Sequence, residues 1–189
     1  MSTALRQRVS DIDSVDLRFE DRMFVRPAGR NSGEGGPARA AGIGAVFALT
    51  GFMGYTLGPL LTRTLSLPDG GQVVMLALGA TGATFLGLSA WVLKSRRDFS
   101  FMGGFLFAGM VIAMLAGLAA VFLEIPALGL AVSAMVALLS AGLILFETSR
   151  IVNGGETNYL LATVSLYVSL FNLFTSLLSL FGFGGGSDD

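Results

Sequence analysis

Glu147 is the one carboxylate of this 189-residue chain that continues the polar stripe of a long apolar segment, and Arg150 follows three residues later. Ser133, Ala137 and Ser140 precede it on the same helical face. A carboxylate at membrane depth beside a guanidinium is a candidate pH-sensing or gating pair, closed through Arg150 or through a neighbouring helix. The plainer alternative is an interfacial residue that marks a helix end. A second polar stripe lies downstream. Ala162, Ser165, Ser169, Asn172, Ser176 and Ser179 recur at spacings of three and four, so they share one helical face, and Leu and Phe fill the other. Such a face must meet protein or water rather than lipid. Interhelical hydrogen bonding and a hydrated path lined by hydroxyls both fit it. Between the stripes stands the loop Gly154-Gly155-Glu156-Thr157-Asn158-Tyr159. Its glycines permit a tight turn with positive φ, and Thr157 or Asn158 can cap the helix that follows.

Other chemistries are poorly supplied. The chain has no Cys and no His. That removes thiol catalysis, disulfides, the usual general base near neutral pH and the commonest metal ligand. No phosphate loop, nucleophile–base pair or metal-ligand spacing is present. The expectation is a protein that is not an enzyme and uses no cofactor or metal. A net charge of −1 provides no field for nucleic acid.

The elements that carry these residues are set by the solvent. Hydrophobic residues make up 53% of the chain and charged residues 13%, about half the charged share of a soluble domain. Five windows of roughly 20 residues are apolar on every face, long enough to cross a bilayer as helices. They run over about 41–61, 73–93, 101–123, 127–146 and 160–183. The expected fold is all-α, a polytopic membrane bundle, because the ten-residue alternation of a barrel is missing. With five spans, every Lys and Arg except Arg63 falls on one side of the membrane. The N-terminus should then be cytoplasmic and the C-terminus periplasmic.

Residues 1–40 differ in kind. They mix Arg with acids and end in the linker-like Asn31-Ser32-Gly33-Glu34-Gly35-Gly36-Pro37. This composition predicts a disordered tail, with room for one short amphipathic helix around Val15 to Val25. The final residues, 184–189, read as a disordered end. Within the spans, small residues recur on one face: Gly44, Ala48 and Gly51, then Gly54 and Gly58; and, at four-residue spacing, Gly79, Ala83 and Gly87, and Gly109, Ala113 and Gly117. Close packing of such stripes is what joins helices in lipid. Gly58-Pro59 should kink or end the first helix.

The segment from Phe146 to Tyr159, followed by Ala162 to Leu170, resembles the C-terminal signature of the bacterial YccA-like branch of the Bax inhibitor-1 (TMBIM) family. Three further segments are similar: Gly51 to Pro59, Asp98 to Gly104, and Ile125 to Leu128. The resemblance covers about 45–183 in consistent order. It implies a seven-span bundle with a cytoplasmic N-terminus. Here five spans are present, and the polar Arg-rich segment stands where the two leading family spans would be. Losing two spans preserves the orientation and leaves small-residue grooves open, which favours a homo-oligomer or a partner. Members described as pH-sensitive calcium leaks carry two acids on the last two core spans. Glu147 matches the first, and the second falls on Ser169, which cannot ionise. The resemblance therefore implies the YccA-like role: an inner-membrane substrate and modulator of an FtsH-type membrane protease. The alternative it implies is a pH-sensitive calcium or proton leak.

Overall fold

The computed structural model describes residues 12–19, 22–27 and 35–184. The chain divides into two compact units, Met1–Leu49 and Thr50–Asp189.

In the first unit, β1 (Ile12–Phe19) pairs antiparallel with β2 (Arg22–Pro27). Val15 lies opposite Val25, Asp16 opposite Phe24 and Phe19 opposite Arg22, with irregularities in register on either side of Ser14–Asp16. This corrects the helix expected around Val15 to Val25. The segment alternates Val15, Leu17 and Phe19 with Asp16 and Arg18, and a period of two belongs to a strand. Residues 35–40 of the expected disordered tail are helical and open the first helix, and Gly184 of the expected disordered end belongs to the last helix. The remaining residues of that tail, and 185–189, lie outside the described residues.

Five helices follow: α1 (Gly35–Leu65), α2 (Gly70–Ser95), α3 (Gly103–Phe122), α4 (Pro126–Val152) and α5 (Tyr159–Gly184). A single 3₁₀ turn, Ser100–Met102, leads into α3. All five are long and apolar enough to cross a membrane. Hydrocarbon offers no partner for a backbone N–H or C=O, so each crossing segment closes its hydrogen bonds within itself. The protein is a multi-pass membrane protein.

The second unit is organised around α4 and α5. One apolar cluster sets Ala77 of α2 against Phe174 and Leu178 of α5, with Leu57, Leu60 and Leu61 of α1 alongside. A second sets Leu106 and Ala113 of α3 against Leu139 of α4. The third joins Ala137 and Ile144 of α4 to Leu173 of α5, flanked by Phe85 and Leu88 of α2. Part of the Leu and Phe side of α5, at Leu173, Phe174 and Leu178, is therefore core as well, because this helix packs against both α2 and α4.

Two helix ends differ from expectation, and that of α3 falls where expected. α1 continues through Pro59 to Leu65. Proline removes one hydrogen bond, and the surrounding turns carry the helix past it. α4 does not stop at Glu147 but runs on to Val152, with Thr148 and Ser149 buried. The fall in hydropathy there marks the membrane surface, not the end of hydrogen bonding. α3 ends in a Schellman motif. The N–H of Ile125 bonds the Ala120 carbonyl at 3.1 Å and that of Glu124 the Val121 carbonyl at 3.3 Å. Glu124 takes the left-handed position at φ 53°, and Pro126 then opens α4 at a position that needs no N–H.

Of the three small-residue stripes, only the third packs against a helix. A Cβ on Gly109 would lie 2.6 Å from Leu139 Cδ2, and one on Gly117 would lie 3.6 Å from Val132. At Gly44, Gly51, Gly79 and Gly87 a Cβ would meet nothing within 4 Å. Spacing creates a groove, but only a neighbour fills it. Gly109→Val should therefore destabilise the bundle by about 1–3 kcal/mol through overpacking. Gly79→Ala should be neutral or stabilising by up to about 1 kcal/mol through helix propensity. Unfolding of both variants in mixed micelles checks the pair.

Candidate functional site

The polar residues singled out by spacing converge at one end of the α4–α5 seam. The hydroxyl of Ser169 on α5 donates to Glu147 Oε2 on α4 at 3.2 Å. Ser169 is 1% exposed, so this bond joins the two central helices away from solvent. Of the remaining stripe, Ser176 is buried, while Ser165, Asn172 and Ser179 are half-buried. The face is turned into protein at Ser169 and Ser176 and partly open elsewhere. Ser179 donates to the Thr175 carbonyl of its own helix at 3.0 Å.

Arg150 does not pair with Glu147. Its Nη2 meets Glu156 Oε2 at 2.9 Å, and its guanidinium lies 5.6 Å from the centre of the Phe146 ring. The reason is the loop. α4 ends in a second Schellman motif, with the Gly155 N–H on the Arg150 carbonyl at 2.8 Å and Gly154 in the left-handed position at φ 73°. This turn folds Glu156 back over Arg150, and the Glu156 N–H also reaches the Arg150 carbonyl at 3.2 Å. Glu156 Oε1 accepts from the Asn158 N–H at 3.1 Å. Asn158 Oδ1 then caps α5, accepting from the N–H groups of Leu160 at 3.1 Å and Leu161 at 3.3 Å. Thr157 and Tyr159 are exposed. Glu147, Arg150, Glu156 and Ser165 line one small pocket. The arrangement holds a carboxylate against a hydroxyl inside the bundle and a second carboxylate against a guanidinium at its rim.

Spacing missed Ser149, the most heavily bonded side chain at this end. It is fully buried. Its hydroxyl donates to the Arg97 carbonyl at 3.1 Å and accepts from the Phe99 N–H at 3.0 Å and from Asn153 Nδ2 at 3.2 Å. The loop between α2 and α3 is thereby fastened to α4. Nearby, the hydroxyls of Ser89 on α2 and Thr148 on α4 are 3.5 Å apart. Within that loop, Asp98 accepts from the hydroxyl of Ser100 and from its N–H. These bonds, the hydroxyl's first, hold the Asp98 pKa below its ordinary 3.8. A serine beside a helix end is common in any sequence, so no local signal distinguishes Ser149. Its bonds reach residues about fifty positions away.

A family model described as "Inhibitor of apoptosis-promoting Bax1" matches residues 28–186. The chain belongs to the Bax inhibitor-1 family. An uncharacterized protein of Pseudomonas aeruginosa is 52% identical over 188 residues, covering 100% of this chain and 82% of that protein. The Escherichia coli K12 protein named "Modulator of FtsH protease YccA" is 54% identical over 145 residues, 77% of this chain and 66% of its own length. An uncharacterized membrane protein of Vibrio cholerae is 47% identical over 165 residues, 87% of this chain and 71% of that protein. These relatives place the chain in the YccA-like branch of the Bax inhibitor-1 family.

The buried knot at Ser149 makes a direct prediction for this branch. Ser149→Ala leaves the Phe99 N–H without its partner and the Arg97 carbonyl with only the 3.4 Å bond from Asn153 Nδ2, and should destabilise the protein by about 1–3 kcal/mol. Thermal unfolding in detergent checks it, and Ser165→Ala, on the half-buried part of the α5 stripe, should have a smaller effect.

Proposed function

We propose that this chain is an inner-membrane modulator of an FtsH-type protease, acting in membrane-protein quality control as a competing substrate. The observation that carries the reading is its 54% identity to a protein named for modulating FtsH. A membrane-anchored protease of this kind must grip chain outside the bilayer and then pull helices from lipid. The polar residues before α1 supply that grip if the N-terminus is cytoplasmic, as the distribution of Lys and Arg favours. Pulling on the bundle would strip α5 from α2 and α4 and bring Ser169, Ser176 and Glu147 toward hydrocarbon. Exposing such groups is costly, so extraction stalls and the protease stays occupied. The chain should co-purify with the protease, and its overexpression should lengthen the half-life of another membrane substrate. Deleting residues 1–34 should abolish both effects. Unchanged turnover with the full chain would refute the reading.

A second reading is a pH-sensitive calcium or proton pathway gated at Glu147. The Ser169–Glu147 bond between the two central helices favours it. The absence of a second acid at Ser169 weakens it, since paired carboxylates are what couple protonation steps. Reconstituted protein should then show pH-dependent flux that Glu147→Gln changes. Flux that is flat across pH would eliminate this pathway.

A further inference from the structure

At the opposite end of the bundle from Glu147 lies a cavity of about 850 Å³ among the ends of α1, α3, α4 and α5, within the size range of small-molecule sites. Its wall is chemically divided. Arg63 and Glu124 bring charge, Ser133 and Ser179 bring hydroxyls, and Val121 and Leu130 are apolar.

Two observations set the charges apart from ordinary surface residues. Arg63 lies over the Phe183 ring, 5.1 Å from its centre. That stacking orients the guanidinium and leaves the donors at its edge available. Glu124 occupies the left-handed position of the α3 Schellman motif, where glycine is the usual residue. At the matching position after α4 the chain does use glycine, Gly154. A glutamate is thus kept where glycine would be easier, and its side chain lines the cavity. No ion pair joins it to Arg63. A cation stacked on an aromatic ring and an exposed anion therefore line the same cavity without pairing to each other, together with apolar Val121 and Leu130.

We propose that this cavity binds a zwitterionic phospholipid with a primary ammonium headgroup, phosphate on Arg63, ammonium on Glu124, acyl chain against Val121 and Leu130. Arg63 suits a phosphate because its donors can bond two oxygens at once. Glu124 discriminates among headgroups. A primary ammonium donates hydrogen bonds to a carboxylate, whereas a quaternary ammonium has no N–H to give. An anionic headgroup would meet Glu124 with repulsion. Among the described residues no salt bridge engages Glu124.

The test uses the full chain in detergent with an equimolar mixture of phosphatidylethanolamine, phosphatidylcholine and phosphatidylglycerol of identical acyl chains, read by native mass spectrometry. One phosphatidylethanolamine should be retained per chain in preference to the other two. Arg63→Ala should lower that retention about tenfold, the loss of one charge-assisted contact. Glu124→Gly should leave the melting temperature unchanged or higher, since glycine suits the turn, yet erase the preference over phosphatidylglycerol. Gly129 also lines the cavity, and a Cβ there would meet nothing within 4 Å. Gly129→Leu should therefore fill the space and reduce retention of all three lipids without disturbing the fold. Equal retention of the three lipids by the unaltered chain would overturn the proposal. So would a phosphatidylethanolamine preference that survives both Arg63→Ala and Glu124→Gly.

Discussion

Hydrocarbon cannot hydrogen-bond, and the arrangement of this protein follows from that constraint. Backbone groups are satisfied by helix formation, and side-chain hydroxyls and carboxylates turn to carbonyls of their own helix, to another helix or to the membrane surface. The seam between α4 and α5 gathers several of them. Ser169 and Glu147 meet across it, and Ser140 and Ser176 are buried beside it. The Ser140 hydroxyl has no partner among the described residues. The apolar clusters then distribute the other helices around this pair, α2 against both, and α3 against α4.

The helix ends show how the same chain uses one motif for two purposes. α3 and α4 both finish in a Schellman turn, which satisfies their last carbonyls. After α4 the left-handed position is Gly154, and the turn folds Glu156 onto Arg150. After α3 it is Glu124, and a charged side chain is placed at the edge of a cavity. At the Glu147 end, Ser149 fastens the loop before α3 to α4. The two ends of the bundle are thus built differently: one is tightly bonded, the other encloses space.

The helices also differ in how far each is enclosed by its neighbours. α5 packs against two helices, with Leu178 fully buried against α2 and Leu173 buried against α4. α1 holds no buried residue along its most apolar stretch. In these clusters α2 packs against both α4 and α5, whereas α3 packs against α4 alone.

Much of this was legible in one dimension. Apolar windows longer than a bilayer is thick specify crossing helices whatever their neighbours, so five spans could be counted from composition. The polar face from Ser165 to Ser179 followed from helical periodicity, and the turn at Gly154 from residue type. Alternation over Val15 to Phe19 was equally legible as a strand, but the surrounding charge and glycine favoured reading a tail. Partner choice was not legible. Whether Gly79 or Gly109 receives a neighbour, whether Arg150 turns to Glu147 or Glu156, and which serine ties a distant loop all depend on residues remote in sequence. Periodicity fixes the direction a side chain takes from its own helix. Only the packing of the other helices decides what it meets there.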